Sequence, residues 1–192
     1  MHHAHVAAVN PFRCKPTLKS RFMATKPLVN KVKSSNKLAT LDMEQWLKGV
    51  PLKSFDLKPL LFKEMIVKED HFNEHLATLD LAGYQGAIVA IQCSVDTIIP
   101  TWAWLKPIPL LYEAGAKYVH IGESEQAKHA YIASTIHTTD WSPYQGKNVI
   151  IKGCSHEAIS DDLYGIALQR VSSVASKVMI GEACSNVPLY KK

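Results

Sequence analysis

The chain has 192 residues, of which 47% are hydrophobic and 20% charged, a balance that lets it bury a core and excludes intrinsic disorder. Its formal net charge of +5 is unevenly spread: residues 1–41 hold eight basic residues and no carboxylate, whereas the rest carries 14 Lys and Arg against all 17 acids, a net of −3. A basic tail on a mildly acidic body offers no continuous face for phosphates, which excludes nucleic-acid binding by the body. No run approaches the roughly 18 apolar residues that a membrane-spanning helix needs.

Residues 1–27 read as a basic, disordered tail. His2, His3, His5, Asn10 and Arg13 interrupt any apolar region of a signal peptide, and Met23 is read as the true start. Without an export signal the expected compartment is the reducing cytoplasm, where cysteines are free, metal-binding or catalytic more often than disulfide-linked. Residues 28–192 are expected to form one α/β domain. Within it, Lys37–Asp42 predicts a strand, and Leu57–Phe62 and Asp70–Leu79 predict short helices around Met65-Ile66-Val67.

The strongest internal signal is a repeat of about sixty residues, spanning 84–123 and 144–182. Tyr84-Gln85-Gly86-Ala87-Ile88-Val89-Ala90-Ile91-Gln92-Cys93-Ser94 matches Tyr144-Gln145-Gly146-Lys147-Asn148-Val149-Ile150-Ile151-Lys152-Gly153-Cys154-Ser155. Each copy runs on to a second match, Lys117-Tyr118-Val119-His120-Ile121-Gly122-Glu123 or Lys177-Val178-Met179-Ile180-Gly181-Glu182. Ile88–Ile91, Val149–Ile151 and Val178–Ile180 are continuous apolar runs suited to strands buried on both faces. In the second copy Asp161 or Asp162 caps a helix with Leu163, Ile166, Ala167, Val171 and Val174 in steps of three and four. In the first, Thr101 to Leu105 starts a helix that Pro107 and Pro109 should interrupt, leaving an elbow and a further turn to Glu113. Ser124 to His137 predicts a helix between the copies. The expected fold is therefore α/β: a mainly parallel sheet of two repeated βαβ units, with helices on both faces and an N-terminal extension.

In such a sheet, ligands bind beyond the carboxyl ends of the strands. Cys93 and Cys154 follow equivalent strands of the two copies, and Cys184 follows the return strand of the second, so all three are expected at one edge. Thiolates suit zinc and iron–sulfur clusters, and three protein ligands leave a position open. Asp96, His156, Glu123 and Glu182 are candidates for a fourth ligand or for the groups around it, and Thr101 and Trp102 for the pocket wall. The bland readings compete: free cysteine packs as a small hydrophobe, Asp96 caps a turn, Glu123 and Glu182 pair with bases, and His71, His75, His129 and His137 are solvated on helix faces.

Three segments carry a family resemblance: Cys93-Ser94-Val95-Asp96-Thr97-Ile98-Ile99-Pro100-Thr101-Trp102-Ala103, Ile151-Lys152-Gly153-Cys154, and Met179-Ile180-Gly181-Glu182-Ala183-Cys184-Ser185-Asn186-Val187-Pro188-Leu189-Tyr190-Lys191. Together they resemble the bacterial domain-of-unknown-function family 2480, with a likeness that begins near Leu28. The chain departs from the family pattern after Cys154, where Ser155-His156-Glu157-Ala158-Ile159-Ser160 replaces a segment rich in Gly and Pro, and at Pro107 and Pro109. The resemblance implies no established activity. It does imply a link to iron–sulfur cluster assembly, near whose genes those of the family lie, and hence assembly proteins as expected partners. Three functions follow as expectations: a metal- or cluster-binding accessory protein; a thiol enzyme of sulfur transfer or redox chemistry with Cys93 as nucleophile; and a non-catalytic interaction module with inert cysteines.

Overall fold

A computed structural model describes residues 37–153 and 159–192. They belong to one unit, Val32–Lys192. The described strands are β1 (Leu38–Leu41), β2 (Leu52–Asp56), β3 (Ile88–Gln92), β4 (Tyr118–Ile121), β5 (Asn148–Ile151), β6 (Lys177–Glu182) and β7 (Ser185–Lys191). The described helices are α1 (Glu69–Ala77), α2 (Thr101–Leu105), α3 (Pro107–Glu113), α4 (Ser124–Thr138) and α5 (Asp161–Ser172). None is long and apolar enough to cross a membrane.

The strands form two hydrogen-bonded sheets rather than the single sheet expected from the sequence. One is all parallel, in the order β2-β3-β4; the other is mixed, in the order β1-β5-β6-β7, with only β7 antiparallel. In the first, β3 is the central strand, and its alternation sends residues to two cores. Ile88 and Ala90 join a cluster with Ile132 and Ile136 of α4, while Ala87, Val89 and Ile91 join Phe72 and Leu76 of α1, Ala103 of α2 and Leu111 of α3. Ala87, just before β3, and the β3 residues Ile88 to Ile91 are all at most 1% exposed, which explains an unbroken apolar run without polar alternation. In the second sheet, Leu41, Val149, Ile151 and Val178 face Leu163, Ala167 and Val171 of α5, in the same cluster as α4. Helix α4 thus carries one hydrophobic cluster that both sheets share.

The prolines interrupt the helix as expected. The helix breaks at Lys106, and Pro107 starts α3 at its first position, where a missing N–H costs nothing. Pro109 then falls in the same first turn and is equally tolerated. The predicted helix over Leu57–Phe62 is reduced to a single 3-10 turn, Lys58–Leu60, which Pro59 favours, followed by an isolated bridge between Phe62 and Ile66. Strands β2 and β7 have no counterpart in the sequence reading; both are edge strands and mostly exposed, so neither shows a buried apolar run.

Aspartates close the carboxyl ends of both edge strands that precede the helices. Asp42, after β1, accepts hydrogen bonds from the Glu44 N–H (3.2 Å), the Gln45 amide (3.2 Å) and Lys152 Nζ (3.2 Å). Asp56, at the end of β2, accepts from the Lys58 and Ser94 N–H groups, both at 3.0 Å. Burial pushes each carboxyl up, but the hydrogen bonds outweigh it and both lie below the usual aspartate range. A lowered folded pKa gives stability that is present above the unfolded value, about 3.9, and lost as pH falls through the folded one. The thermal midpoint of the wild type should therefore fall more steeply below about pH 4 than that of an Asp42→Asn/Asp56→Asn variant. Parallel curves would show that these carboxylates contribute nothing.

Candidate functional site

Local geometry at the strand ends determines where the candidate residues stand. Gly122 (φ 141°) ends β4 and turns the chain so that Glu123 caps α4. The Glu123 carboxylate accepts from the Gln126 N–H, and Gln126 Oε1 accepts from the Glu123 N–H at 2.9 Å, a capping box. Helix α4 therefore starts at the carboxyl end of the three-stranded sheet. Helix α5 connects β5 to its parallel neighbour β6 and so starts at the carboxyl end of the mixed sheet.

The two helices run parallel. His129 Nε2 meets Asp162 Oδ2 at 2.7 Å near their N-termini, and Arg170 Nη2 donates to His137 Nδ1 at 2.7 Å near their C-termini. Both pairs join residues 33 positions apart, so α4 and α5 lie side by side in the same direction. Because each helix begins where its strands end, the carboxyl ends of the parallel strands in both sheets face one end of the protein.

Cys93 and Cys184 stand at that end, both as free thiols. Cys93 follows β3 directly, is half-buried, and packs against the α1–α3 core beside Ile99 and Trp102. Its loop is tied to β2 through the Ser94–Asp56 hydrogen bond. Cys184 is exposed in the two-residue turn between β6 and β7. Gly181 shapes that hairpin: at φ 123°, an added Cβ would lie 2.5 Å from the Ser185 carbonyl oxygen. Cys154 and His156 lie outside the described residues. Gly153, the last described residue before them, packs against Ile180 of β6, whose side-chain carbons would stand 2.8 and 2.9 Å from an added Cβ.

The other candidates divide. Glu123 is engaged as the cap of α4. Glu182 is exposed at the end of β6, where its charge reinforces Lys152, whose ammonium is held above the usual lysine range chiefly by its hydrogen bond to Asp42. Asp96 is exposed on the Cys93 loop, and Thr101 is exposed at the first position of α2. Trp102 packs edge-on against Phe72 with ring centroids 5.4 Å apart and carries Lys106 Nζ 4.8 Å above its ring, which makes it a wall of the core below Cys93. Among the described residues, no three His, Cys, Asp or Glu side chains converge on one point.

One group escaped the sequence reading. A cleft of about 600 Å³ between the end of β4 and the first turns of α4 is lined by His120, Ile121, Glu125, Gln126, His129 and Ala130. The signal was present: Glu125 and His129 are one helical turn apart on the predicted helix, and His120 alternates with buried Val119 on the preceding strand. Solvated helix histidine is the default, and a partner such as Asp162, 33 residues away, is invisible in a linear pattern.

Comparison with known proteins decides the family. The family described as "Protein of unknown function (DUF2480)" matches residues 26–192. The chain belongs to that family. No curated protein and no solved structure matches it. The DUF2480 match spans β1 to β7, so both sheets and both described thiols lie within it.

The two thiols should react unequally. Alkylation under native conditions is expected to label exposed Cys184 at least several-fold faster than half-buried Cys93, as read by peptide mass spectrometry. Asp56→Ala, which frees the Cys93 loop, should narrow the gap. Equal rates in the wild type would contradict the burial described for Cys93.

Proposed function

We propose that the protein is a metal-binding accessory protein that holds an iron–sulfur cluster or zinc through Cys93, Cys154 and Cys184, in support of iron–sulfur cluster assembly. The observation that carries this reading is the parallel pairing of α4 and α5, which turns the carboxyl ends of both sheets, and with them Cys93 and Cys184, toward the same end of the protein. In the sequence Cys154 comes three residues after β5, and β5 pairs in register with β6, the strand that precedes Cys184, which supports a shared site. Thiolates are the soft donors that both groups prefer. Of the candidate oxygen donors, Asp96 is exposed on the loop after β3 and Glu182 at the end of β6; the candidate nitrogen donor, His156, follows Cys154 by two residues in the sequence.

The proposal includes the finer architecture. The sheets are read as two copies of one unit, βαβ with a leading strand. Strand order β2-β3-β4 parallels β1-β5-β6, Asp56 parallels Asp42, and Gly86 (φ 70°) parallels Gly146 (φ 66°). On that reading Cys93 and Cys154 are equivalent, and Cys184 marks the asymmetric half. Residues 1–27 are an N-terminal extension to this body, and a reducing cytoplasm keeps the thiols available.

Anaerobic purification from iron-replete cells tests the proposal, with visible absorbance and metal analysis as readouts. A coloured or zinc-containing protein that loses its metal on Cys93→Ser, Cys154→Ser and Cys184→Ser substitution is expected. A colourless, metal-free wild type would overturn it. A thiol-enzyme reading is favoured by one observation, the fixing of the Cys93 loop by Asp56. It would be selected by a persulfide on Cys93 alone, found by mass spectrometry.

A further inference from the structure

We propose that two joined loop tips beyond β2 and β3 form a membrane-docking surface, which inserts Met65, Ile66 and Ile98 into the interface of an anionic phospholipid bilayer. The surface is independent of the thiols. Ile98 at 92% and Met65 at 65% are the two most exposed large hydrophobic residues described, and Ile66 is 53% exposed. Thr97 Oγ1 donates to the Met65 carbonyl at 2.7 Å, which fastens the loop carrying Ile98 to the turn carrying Met65 and Ile66. Across that turn Phe62 and Ile66 exchange backbone hydrogen bonds of 2.8 and 3.1 Å, and Lys63 (φ 51°) and Glu64 (φ 57°) pass through the left-handed region. Side chains other than glycine rarely adopt that backbone, so the surrounding contacts hold the turn in a fixed outward shape.

Charge selects the occupant. The body carries a net of −3, whereas residues 57–68 hold three lysines and one carboxylate, Glu64, which Lys58 neutralises at 3.1 Å. The ammonium groups of Lys63 and Lys68 gather on the Phe62 ring, 5.7 and 3.6 Å from its centroid, and neither pairs with a carboxylate among the described residues. Two unpaired cations beside three exposed aliphatic side chains match headgroup phosphates above an acyl layer: the lysines meet the anionic surface while the aliphatic groups leave water. Asp96, exposed on the Ile98 loop, opposes that attraction, so binding is reversible rather than tight. A protein partner fits less well. A stable protein interface takes roughly 20–30 residues from each side, which two loop tips do not supply.

Sedimentation of the full chain with vesicles of phosphatidylcholine and phosphatidylglycerol in equal parts tests the surface. Binding is expected, at least several-fold weaker on phosphatidylcholine alone and falling with added salt. Ile98→Asp, and Lys63→Ala with Lys68→Ala, should each weaken binding at least tenfold, whereas Asp96→Asn should strengthen it. Every variant keeps the eight basic residues of 1–41, so differences among variants report the loops alone. Circular dichroism checks that the variants fold. A second measurement reads insertion itself: an environment-sensitive fluorophore on Ile98→Cys, in a chain whose four natural cysteines are serine, should shift to the blue on the mixed vesicles. No binding to those vesicles, equal binding by a folded Ile98→Asp variant, or an unshifted fluorophore would overturn the proposal. So would a concentration-dependent dimer in vesicle-free solution that Ile98→Asp abolishes, which assigns the patch to a second copy of the chain.

Discussion

Replacing any one of Cys93, Cys154 and Cys184 by serine is expected to weaken metal binding roughly a hundredfold to a thousandfold. Structural zinc contributes about 10–16 kcal/mol to its peptide through four ligands, so one thiolate is worth roughly 2.5–4 kcal/mol. Each 1.4 kcal/mol is a factor of ten in affinity, which converts that loss to the stated range. The three losses should be similar in size although the residues differ in exposure, because ligation rather than packing sets the cost. Metal competition assays on the single variants provide the comparison. A loss at Cys184 alone, with Cys93→Ser binding as the wild type does, would remove the site shared by the two sheets and leave Cys93 as packing.

Ile132→Ala should produce the largest destabilisation of the apo fold. Ile132 is 0% exposed on α4, in the cluster that contains Ile88 and Ala90 of one sheet and Val149, Ile151 and Val178 of the other. Truncation removes its transfer energy and leaves a cavity that two sheets must close at once, so relaxation is limited. Such a substitution costs about 2–5 kcal/mol, which lowers the thermal midpoint of a domain this size by roughly 10 °C. The same change at exposed Leu105 should cost under about 0.5 kcal/mol. Equal midpoints for the two variants would contradict the position of α4 in the shared core.

How far this structure is legible in the sequence depends on burial. Strands β3, β5 and β6 each contain a continuous apolar run that β2 and β7 lack, and those three are readable to within two residues. Leu52–Asp56 buries only Phe55, and Ser185–Lys191 contains Pro188, which argues against a strand except at an edge. Helix α5 declared itself through Leu163, Ala167 and Val171, all fully buried. The helix proposed over Leu57–Phe62 failed because Leu57, Leu60 and Leu61 are buried by a turn, and spacing alone does not separate a turn from a helix. Division into two sheets was not readable, because the pairing of β1 with β5 joins segments about 110 residues apart. The sequence pointed to the strand ends that carry Cys93 and Cys184. It gave no sign of the His129–Asp162 contact, which depends on the packing of two helices.

X-ray absorption at the metal edge of the anaerobically isolated protein tests the central claim most directly. A first shell dominated by sulfur near about 2.3 Å is expected, abolished when Cys93, Cys154 and Cys184 are all serine. A shell of nitrogen and oxygen near about 2.0–2.1 Å that survives the triple substitution would contradict it.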